Sequence, residues 1–306
     1  MGTPDLPAGM HVLERGWLSS NNILFLDGDQ TVLVDSGYCT HAAQTVALVG
    51  AALGDRPLDF LVNTHLHSDH CGGNAALQAR YPDVSTLIPA GQASQVTRWD
   101  PVVLGYSTTG QHCPQFFFSE TLKAGTSIMF GRTLWGIHGA PGHDPHSVVF
   151  FEPVRKILIS ADALWENGFG VVFPELDGEG AFQEVAATLI VIETLAPTII
   201  VPGHGPPFIY TPQVLGRAFQ RLNAFVENPH KHARHAAKVL LKFKLLEVQY
   251  QLMADFRLWA LNTPQLMQIR QKFYPEIAAA AWIDEICSEL VHSGVASREE
   301  LNICNA

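Results

Sequence analysis

The densest group of side chains that can bind a metal ion lies between residues 63 and 73. Three imidazoles and one carboxylate fall within six positions of the sequence Asn63-Thr64-His65-Leu66-His67-Ser68-Asp69-His70-Cys71-Gly72-Gly73. Imidazole and carboxylate are ligands that suit Zn, Fe, Mn or Co. His65 and His67 are two residues apart, so they would point the same way from an extended chain. The segment therefore predicts a metal centre.

The elements around this segment predict where the metal centre lies. The apolar residues 60–62 indicate a buried strand directly before it. Gly72 and Gly73 allow the backbone to turn sharply after it, and the Ala-rich residues 74–80 predict a helix. The segment is therefore expected at a strand-loop-helix junction, where α/β proteins commonly keep their functional sites.

Further ligand types follow predicted strands downstream. Four ligands in one loop cannot complete a site for two metal ions, so additional His or Asp residues are required. His143 follows the strand-like residues 133–138, Asp162 follows 157–159, and His204 follows 198–201. Each of the three residues is therefore a candidate ligand at the end of a strand.

The order of these motifs resembles a known family. His-x-His-x-Asp-His at 65–70 is followed by Pro-Gly-His at 141–143, the strand-terminal Asp162, and Gly-His-Gly at 203–205. In this order the sequence resembles the metallo-β-lactamase-fold superfamily of metal hydrolases. Asp35, within Leu-Val-Asp-Ser-Gly at 33–37, also resembles an early Asp-[Ser/Thr]-Gly element of that family. The resemblance covers about residues 20–210, and the motifs are specific as a set.

The resemblance implies a fold and a domain division. The expected fold is α/β, a four-layer αβ/βα metallo-β-lactamase sandwich with a small helical C-terminal domain. Residues 1–210 would form the catalytic domain and residues 211–306 the helical region. The composition, with 47% apolar and 16% charged residues, supplies enough apolar material for a large core. A predicted hairpin at 22–34 and a predicted helix at 40–53 fit this alternation of sheet and helix.

The resemblance also implies two adjacent divalent metal ions. They would be zinc ions, with iron or manganese as alternatives. His65, His67 and His143 would hold the first ion, Asp69, His70 and His204 would hold the second, and Asp162 would bridge them. Asp69 would in addition act in catalysis, by orienting a metal-held hydroxide or accepting its proton.

Three further residues could support these ligands. Asp35 could accept a hydrogen bond from a ligand imidazole, or it could be a simple turn-forming residue. Relatives often read Gly-His-Thr-Pro-Gly-[His/Ser] where this chain has Gly-His-Asp-Pro-His-Ser at 142–147. Asp144 and His146 could support a ligand, and His146 could donate a proton to a leaving group. A solvated loop is the alternative for both.

Aromatic residues predict a pocket wall directly after Asp162. Trp165, Phe169 and Phe173 share residues 165–173 with two glycines, so they could line a pocket or pack in the core. A second aromatic run, 116–118, follows a long irregular loop. We interpret that run as the start of a buried strand rather than as a pocket lining.

The C-terminal region carries a different pattern. Thr211-Pro212 predicts a helix start, and mostly helical spacing continues to residue 306. His230, His232 and His235 occur together, but their spacing is poor for a metal site and no carboxylate accompanies them. The pattern favours a solvated helix start.

Composition limits the partners and the compartment. The net charge of -10 argues against nonspecific nucleic-acid binding, which depends on Lys and Arg. Residues 1–18 show no signal-peptide pattern, and no apolar stretch reaches membrane-spanning length. Five cysteines without a framework spacing fit a reducing compartment. Cys71 is interpreted as a small buried residue rather than a ligand. A cytoplasmic protein without a membrane or nucleic-acid partner is expected.

The resemblance implies a dinuclear metal-dependent hydrolase. Among relatives the sequence resembles glyoxalase II, so a metal-held hydroxide attacking the carbonyl of a small-molecule thioester, ester or lactone is expected. The alternatives are a phosphodiesterase or endoribonuclease of the same superfamily, and an iron-dependent thiol or persulfide oxidoreductase. A non-catalytic binding module would require a site closed to water. The sequence leaves open whether the protein forms a homodimer.

Overall fold

The structure is a computed structural model that describes residues 4–306. The first three residues of segment 1–18, where no signal peptide is expected, lie outside the described residues. The chain divides into two compact units. The first unit comprises the residues up to Leu104 together with Cys113–Leu222, and the second comprises Gly105–His112 together with Asn223–Ala306. The domain division predicted at residue 210 stays a prediction.

The first unit alternates short strands with helices. Two short 3-10 turns, Cys39–His41 and Ala90–Gln92, precede two of its helices. Its strands are β1 (Met10–Leu13), β2 (Asn22–Phe25), β3 (Val32–Val34), β4 (Phe60–Val62), β5 (Ser85–Pro89), β6 (Glu120–Leu122), β7 (Ser127–Phe130), β8 (Thr133–Gly139), β9 (Val148–Glu152), β10 (Ile157–Ala161), β11 (Ile199–Pro202) and β12 (Phe208–Ile209). Its helices are α1 (Ala42–Leu53), α2 (Ser68–Cys71), α3 (Asn74–Arg80), α4 (Ala93–Arg98), α6 (Phe173–Asp177) and α7 (Ala181–Leu195), and α8 (Pro212–Glu227) begins in it.

The strands form two six-stranded sheets. The first sheet has the order β1-β2-β3-β4-β5-β6, and the second has the order β12-β11-β10-β9-β8-β7. Side chains alternate across the first sheet, as a period of two requires. Val32 and Val34 of β3 face a core shared with residues of the second sheet, such as Phe150, so the two sheets pack face to face. Leu33 faces the opposite way.

Helices cover the outer face of the first sheet. Leu33 packs in a separate cluster with Val49 and Leu53 of α1 and Leu77 of α3. In the second half of the unit, α7 buries the four side chains that its helical spacing predicts. They are Phe182, Val185, Leu189 and Ile192. The predicted hairpin is confirmed as the antiparallel pair β2–β3, and the predicted helices at 40–53 and 74–80 are confirmed by α1 and α3.

The predicted strand at 116–118 is wrong. Strand β6 begins only at Glu120, and Phe117 is 72% exposed. The side-chain amide of Gln78 takes the place of a neighbouring strand: Phe117 N donates to Gln78 Oε1 (3.1 Å), and Gln78 Nε2 donates to the Phe117 carbonyl (2.6 Å). Because a side chain satisfies this backbone, the aromatic run needs no strand partner.

The second unit is mostly helical, as expected, and also contains a small sheet. The sheet is antiparallel, with the order β13-β15-β14. The elements of the second unit are α5 (Tyr106–Thr109), α9 (Pro229–Val248), β13 (Tyr250–Leu252), α10 (Met253–Leu261), α11 (Pro264–Phe273), α12 (Ala279–His292), β14 (Ala296–Glu299) and β15 (Asn302–Asn305).

The expectation of a solvated helix start near residue 230 is wrong for one histidine. Helix α9 begins at Pro229, and Asn228 caps it by accepting a hydrogen bond from the Lys231 backbone N–H. His230 is exposed, but His232 is only 1% exposed and packs beside the ring of Phe225. Among residues 4–306, no helix is both long enough and apolar enough to cross a membrane.

Candidate metal centre

Parallel strand pairing gathers the predicted ligands at the carboxyl ends of four strands. In the first sheet Val34 of β3 lies opposite Val62 of β4, and in the second sheet Ala161 of β10 lies opposite Pro202 of β11. The segments that leave these strands carry Asp35, the 63–70 motif, Asp162 and His204. Since parallel strands end at the same edge of a sheet, these segments meet in space.

The seven predicted ligand residues form two groups. Within each group the candidate ligand atoms lie within 4.8 Å of one another. His67 has a 29% exposed side chain and Asp69 a 15% exposed one, whereas the others are buried. The first group is His65, His67 and His143, and the second is Asp69, His70, Asp162 and His204.

Asp162 faces both groups with different oxygens. Its Oδ1 lies 3.4 Å from His70 Nε2 and 3.8 Å from His204 Nε2, in the second group. Its Oδ2 lies 3.4 Å from His143 Nε2, in the first group. The side chain therefore stands between the two sets of nitrogens.

Oxygen acceptors fix the Nδ1 atoms of three imidazoles, on the side of each ring away from the ligand groups. A carboxylate or carbonyl oxygen can only accept, so each of these Nδ1 atoms carries a proton, and Nε2 has a lone pair whenever the ring is neutral. The pairs are His70 with Asp35 Oδ2 (2.8 Å), His143 with the Val171 carbonyl (2.6 Å) and His204 with the Gly16 carbonyl (3.1 Å).

Asp35 and Thr64 extend this support. The Thr64 backbone N–H donates to Asp35 Oδ1 (2.9 Å), and the Thr64 hydroxyl donates to Asp35 Oδ2 (2.8 Å). The same hydroxyl oxygen lies 3.1 Å from His65 Nδ1 and can accept from it. Asp35 therefore holds an imidazole of each group, directly through His70 and indirectly through His65. Fixing ligand orientation in this way is how surrounding hydrogen bonds tune metal sites.

The orphaned nitrogens at the centre fit a divalent metal ion. Among residues 4–306, the buried Nε2 atoms of His65 and His70 find no hydrogen-bond partner. Leaving a buried polar atom unpaired costs about 1–3 kcal/mol, so its presence calls for a ligand. His67 Nδ1 lies 2.8 Å from His143 Nε2, which carries a lone pair. Clustered imidazole nitrogens and carboxylate oxygens are a donor set that divalent metals accept.

Two glycines permit the close packing around the ligands. A Cβ atom at Gly203 would lie 2.2 Å from Asp162 Oδ1 and 3.0 Å from His70 Cε1. A Cβ atom at Gly170 would lie 2.5 Å from His143 Nδ1. Such distances are too short for real atoms, so neither position tolerates a side chain without moving a ligand.

Backbone strain marks the two strand ends that carry acidic residues. Asp35 has φ 59° and Ala161, directly before Asp162, has φ 46°. The register between β10 and β11 also shifts between Ile159 and Ala161. Non-glycine residues in this region cost about 1–3 kcal/mol each and collect at functional sites.

The family comparison identifies this arrangement. The model of the metallo-beta-lactamase superfamily matches residues 15–204, which is more than half of the chain. The chain belongs to the metallo-beta-lactamase superfamily. The resemblance that the sequence predicts is thereby confirmed.

Curated relatives within the superfamily share modest identity with this chain. A hydroxyacylglutathione hydrolase from Thermosynechococcus vestitus is 29% identical over 167 residues, covering 54% of this chain and 57% of that protein. A hydroxyacylglutathione hydrolase from Brucella anthropi is 30% identical over 133 residues, covering 43% and 44%. The chain thus spans about half the length of these two relatives.

A solved structure confirms the fold. A metallo-beta-lactamase family protein from Thermus thermophilus superposes with a TM-score of 0.56 at 17% identity. The superposition covers 97% of this chain and 99% of that chain. The predicted four-layer metallo-β-lactamase sandwich is confirmed, and the helical C-terminal region is present.

In this metallo-β-lactamase-fold site, the two groups differ in proton affinity. Burial lowers the pKa of His65 well below its ordinary value, and burial with the neighbouring His67 lowers the pKa of His143 to about 4. Burial also opposes protonation of His70, but the carboxylates of Asp162 and Asp35 outweigh it and raise the pKa of His70 well above its ordinary value.

The acidic members respond in the opposite direction. Burial opposes ionisation of Asp162, but His204 and His70 outweigh it and hold the pKa of Asp162 well below its usual range. Asp162 in turn raises the pKa of His204 against the effect of burial. The carboxylates therefore favour protonated imidazoles in the second group, whereas burial favours neutral imidazoles in the first.

Asp144 and His146 lie beside the first group. Asp144 is 3% exposed, and its Oδ2 lies 3.9 Å from His67 Nε2. Burial raises the pKa of the Asp144 carboxyl, although the His146 backbone N–H donates to it (2.7 Å). The half-buried His146 ring packs over Gly91, where a Cβ atom would lie 2.1 Å from His146 Nδ1. Asp144 is thus buried rather than part of a solvated loop.

Only one of the three predicted pocket aromatics is seen to contact the ligand groups. Trp165 donates from Nε1 to Asp162 Oδ1 (3.2 Å), and its ring lies edge-on to His204 with centroids 5.5 Å apart. Phe169 is 1% exposed beneath the guanidinium of Arg221, so it packs in the interior. Phe173 is half-buried at the start of α6.

Sequence reasoning missed two residues that contact the site. Trp17 stacks on His204, with centroids 5.5 Å apart and an interplanar angle of 9°. Thr64 links Asp35 to His65, as described above. Thr64 lies within the predicted motif and could have been noticed there, whereas no local pattern connects Trp17 with His204. Cys71 is fully buried, as predicted, with Sγ 3.8 Å from Cys113 Sγ.

Proposed function

We propose that the protein is a dinuclear metal-dependent hydrolase. The observation that carries this proposal is the position of Asp162, which turns one carboxylate oxygen toward each group of imidazoles. A site for one ion would need only one of the groups. Because all seven predicted ligand residues come together, both metal positions are supported rather than one.

The roles of the residues follow from their grouping. His65, His67 and His143 would hold one divalent ion, and Asp69, His70 and His204 the other, with Asp162 shared. We propose zinc because nitrogen-rich sites with carboxylate oxygens suit it, and iron or manganese accept the same donors. When bound, two divalent ions would lower the pKa of water toward neutrality and polarise a substrate carbonyl.

Asp69 is the proposed catalytic carboxylate. Its side chain is 15% exposed, compared with 5% for Asp162 and 4% for Asp35, so it is the most accessible of the three to water. His204 and His70 hold the pKa of Asp69 below its usual range against the effect of burial. An ionised Asp69 can orient an attacking water molecule and accept a hydrogen bond from it.

The proposed substrate is a small-molecule thioester or lactone. Two relatives carry the name hydroxyacylglutathione hydrolase, which denotes cleavage of an acyl group from the thiol of glutathione. The seven proposed ligand residues, which include the proposed catalytic Asp69, all lie within the proposed catalytic domain, residues 1–210. The proposal also includes a cytoplasmic location and the absence of a nucleic-acid partner.

A hydrolysis panel tests the proposal. The protein is stripped of metal, reconstituted with zinc, and assayed on a glutathione thioester, an acyl lactone, a β-lactam and an aryl phosphodiester, each with and without chelator. The expected result is turnover of the thioester or the lactone that chelator abolishes. Turnover of only the phosphodiester or the β-lactam would contradict the substrate class, and turnover that resists chelator would contradict the metal.

A further inference from the structure

An exposed tryptophan lies directly against the second ligand group. Trp17, in the connection between β1 and β2, stacks almost parallel on the ring of His204. It is nevertheless 56% exposed. One face of the indole is therefore covered by a ligand imidazole, and much of the remaining surface is open to water.

Two further contacts hold this indole in place. The carbonyl of Gly16, the preceding residue, accepts the His204 Nδ1–H at 3.1 Å. The Trp17 ring also meets the Trp165 ring edge-on, with centroids 5.3 Å apart and an interplanar angle of 72°. The indole is thus fixed through its backbone and through two aromatic neighbours, although its surface is open.

Trp165 is fixed in its turn by polar contacts. Its Nε1–H donates to Asp162, and its backbone N–H donates to the Gly168 carbonyl (2.6 Å). Arg217 donates to the Glu166 carbonyl (2.7 Å), which secures the same turn from α8. The pair of indoles is consequently an organised corner beside the metal ligands, not a loose surface loop.

We propose that Trp17 and Trp165 form a subsite that binds a flat apolar acyl group of the substrate. This inference rests on the proposed hydrolase function, because it assigns the part of the substrate next to the reacting carbonyl. Aromatic rings favour stacked and edge-on partners, and the open surface of Trp17 offers such a partner a place. A substrate with an aryl-substituted acyl group would cover that surface while its carbonyl lies at the ligand groups.

The surface of the corner is apolar, although charged side chains lie beside it. Trp165 is bonded to the Asp162 carboxylate, and His204 contacts both Asp162 and Asp69. The nearby guanidinium of Arg217 is already bonded to the Glu166 carbonyl. A phenyl ring at the corner would therefore meet indole surface rather than a charged side chain.

The test compares two product analogues that differ only in a phenyl ring. Binding of phenylacetate and of acetate to the zinc-loaded protein is measured by titration calorimetry for the wild type, Trp17→Ala, Trp17→Phe and Phe117→Ala. Phe117 is the matched control, since it is an exposed aromatic that lines a groove with Gln78 and Val84, away from the seven ligand residues. Circular dichroism checks that each variant is folded.

The wild type is expected to bind phenylacetate about tenfold more tightly than acetate. This preference should fall to within about twofold in Trp17→Ala, persist largely in Trp17→Phe, and remain unchanged in Phe117→Ala. A wild type without a preference, or a preference that survives in Trp17→Ala, overturns the subsite. Because the readout is binding, a Trp17-dependent preference would support the subsite even if the hydrolysis panel rejected the proposed reaction.

Discussion

Gly203 shows how closely the individual residues of the site are packed. Its absent side chain leaves room for both Asp162 and His70, which lie where a Cβ atom would collide with them. We expect Gly203→Ala to displace these two residues, to reduce bound zinc from two ions to about one, and to lower turnover about a hundredfold. Zinc content by elemental analysis and a steady-state assay measure these effects.

The matched control for Gly203 is a glycine with free space around it. A Cβ atom at Gly216 in α8 would meet no heavy atom within 4 Å. Gly216→Ala should therefore keep both zinc ions and full activity. Two bound zinc ions in Gly203→Ala would show that the ligands do not need the space that the structure gives them.

The difference in proton affinity between the two groups can be measured on one histidine from each group. In protein stripped of metal, we expect the His70 imidazole to be protonated at pH 7, because the neighbouring carboxylates raise its pKa. His143, with a pKa of about 4, should be neutral there and gain a proton only as the pH falls toward that value. The ¹⁵N chemical shifts of the imidazoles measure this, with assignments from His70→Gln and His143→Gln.

Adding zinc should convert His70 to the neutral form, because only a neutral imidazole can ligate a metal ion. The expected change is therefore loss of the His70 proton on zinc binding at pH 7, with no change of protonation at His143. A neutral His70 in the metal-free protein would contradict the charge pairing with Asp162 and Asp35.

At this scale, the sequence predicted residues that share a motif and missed contacts between distant segments. His65 to His70 stand in one run, so their chemistry is visible from spacing. Asp35 is also a candidate from its motif and contacts His70 in the structure, while its supporting role stays a prediction. Trp17 and His204 come together only because β2 and β11 bring their loops to the same place. His232 was expected to be solvated because helical spacing does not reveal which face packs against Phe225.

Among the elements, the segment before β6 depends on one side chain. Gln78 of α3 bonds the backbone of Phe117 in both directions and also donates to Thr86 Oγ1 (2.8 Å). Gln78→Ala would leave these groups without their partners. We expect a loss of about 1 kcal/mol in the free energy of unfolding, measured by urea denaturation, with zinc content unchanged.

The control for this substitution is a glutamine exposed on another helix. Gln183 of α7 is exposed, so Gln183→Ala should change the unfolding free energy by less than about 0.5 kcal/mol. Equal stability of Gln78→Ala and the wild type would mean that the segment does not depend on this amide.

The sequence predicts the elements that are strongly apolar, and it does not predict those whose hydrogen bonds depend on a distant side chain or whose strands are short and polar. The apolar runs of β4, β10 and β11 were recognised, since buried parallel strands are continuously apolar. The sheet β13-β15-β14 was not predicted, because its strands are short and mostly polar, as in Ala-Ser-Arg-Glu of β14. The strand expected at 116–118 failed because three aromatic residues mimic a buried strand while Gln78 supplies the hydrogen bonds.

Across the whole molecule, the ligand groups connect the two sheets of the first unit. His65 to His70 follow β4 of the first sheet, whereas His143, Asp162 and His204 follow β8, β10 and β11 of the second. Metal ions bound by both sets would stabilise the folded state relative to the unfolded chain. Chelation is therefore expected to lower the thermal midpoint by about 10 °C, measured by calorimetry.

A variant that lacks one ligand histidine of each group provides the control for chelation. The thermal midpoint of His65→Ala combined with His204→Ala should be low from the start and should not change with chelator. An equal midpoint of the wild type with and without chelator would contradict a metal link between the sheets.

The most direct measurement is the turnover of the zinc-reconstituted protein on its preferred thioester or lactone after removal of single ligands. We predict that Asp162→Ala and His65→Ala each lose at least about a hundredfold in kcat/KM while the fold is largely retained. His11→Ala, which removes an exposed histidine of β1, should retain wild-type activity. Full activity in Asp162→Ala or in His65→Ala would contradict the assignment of a dinuclear metal hydrolase.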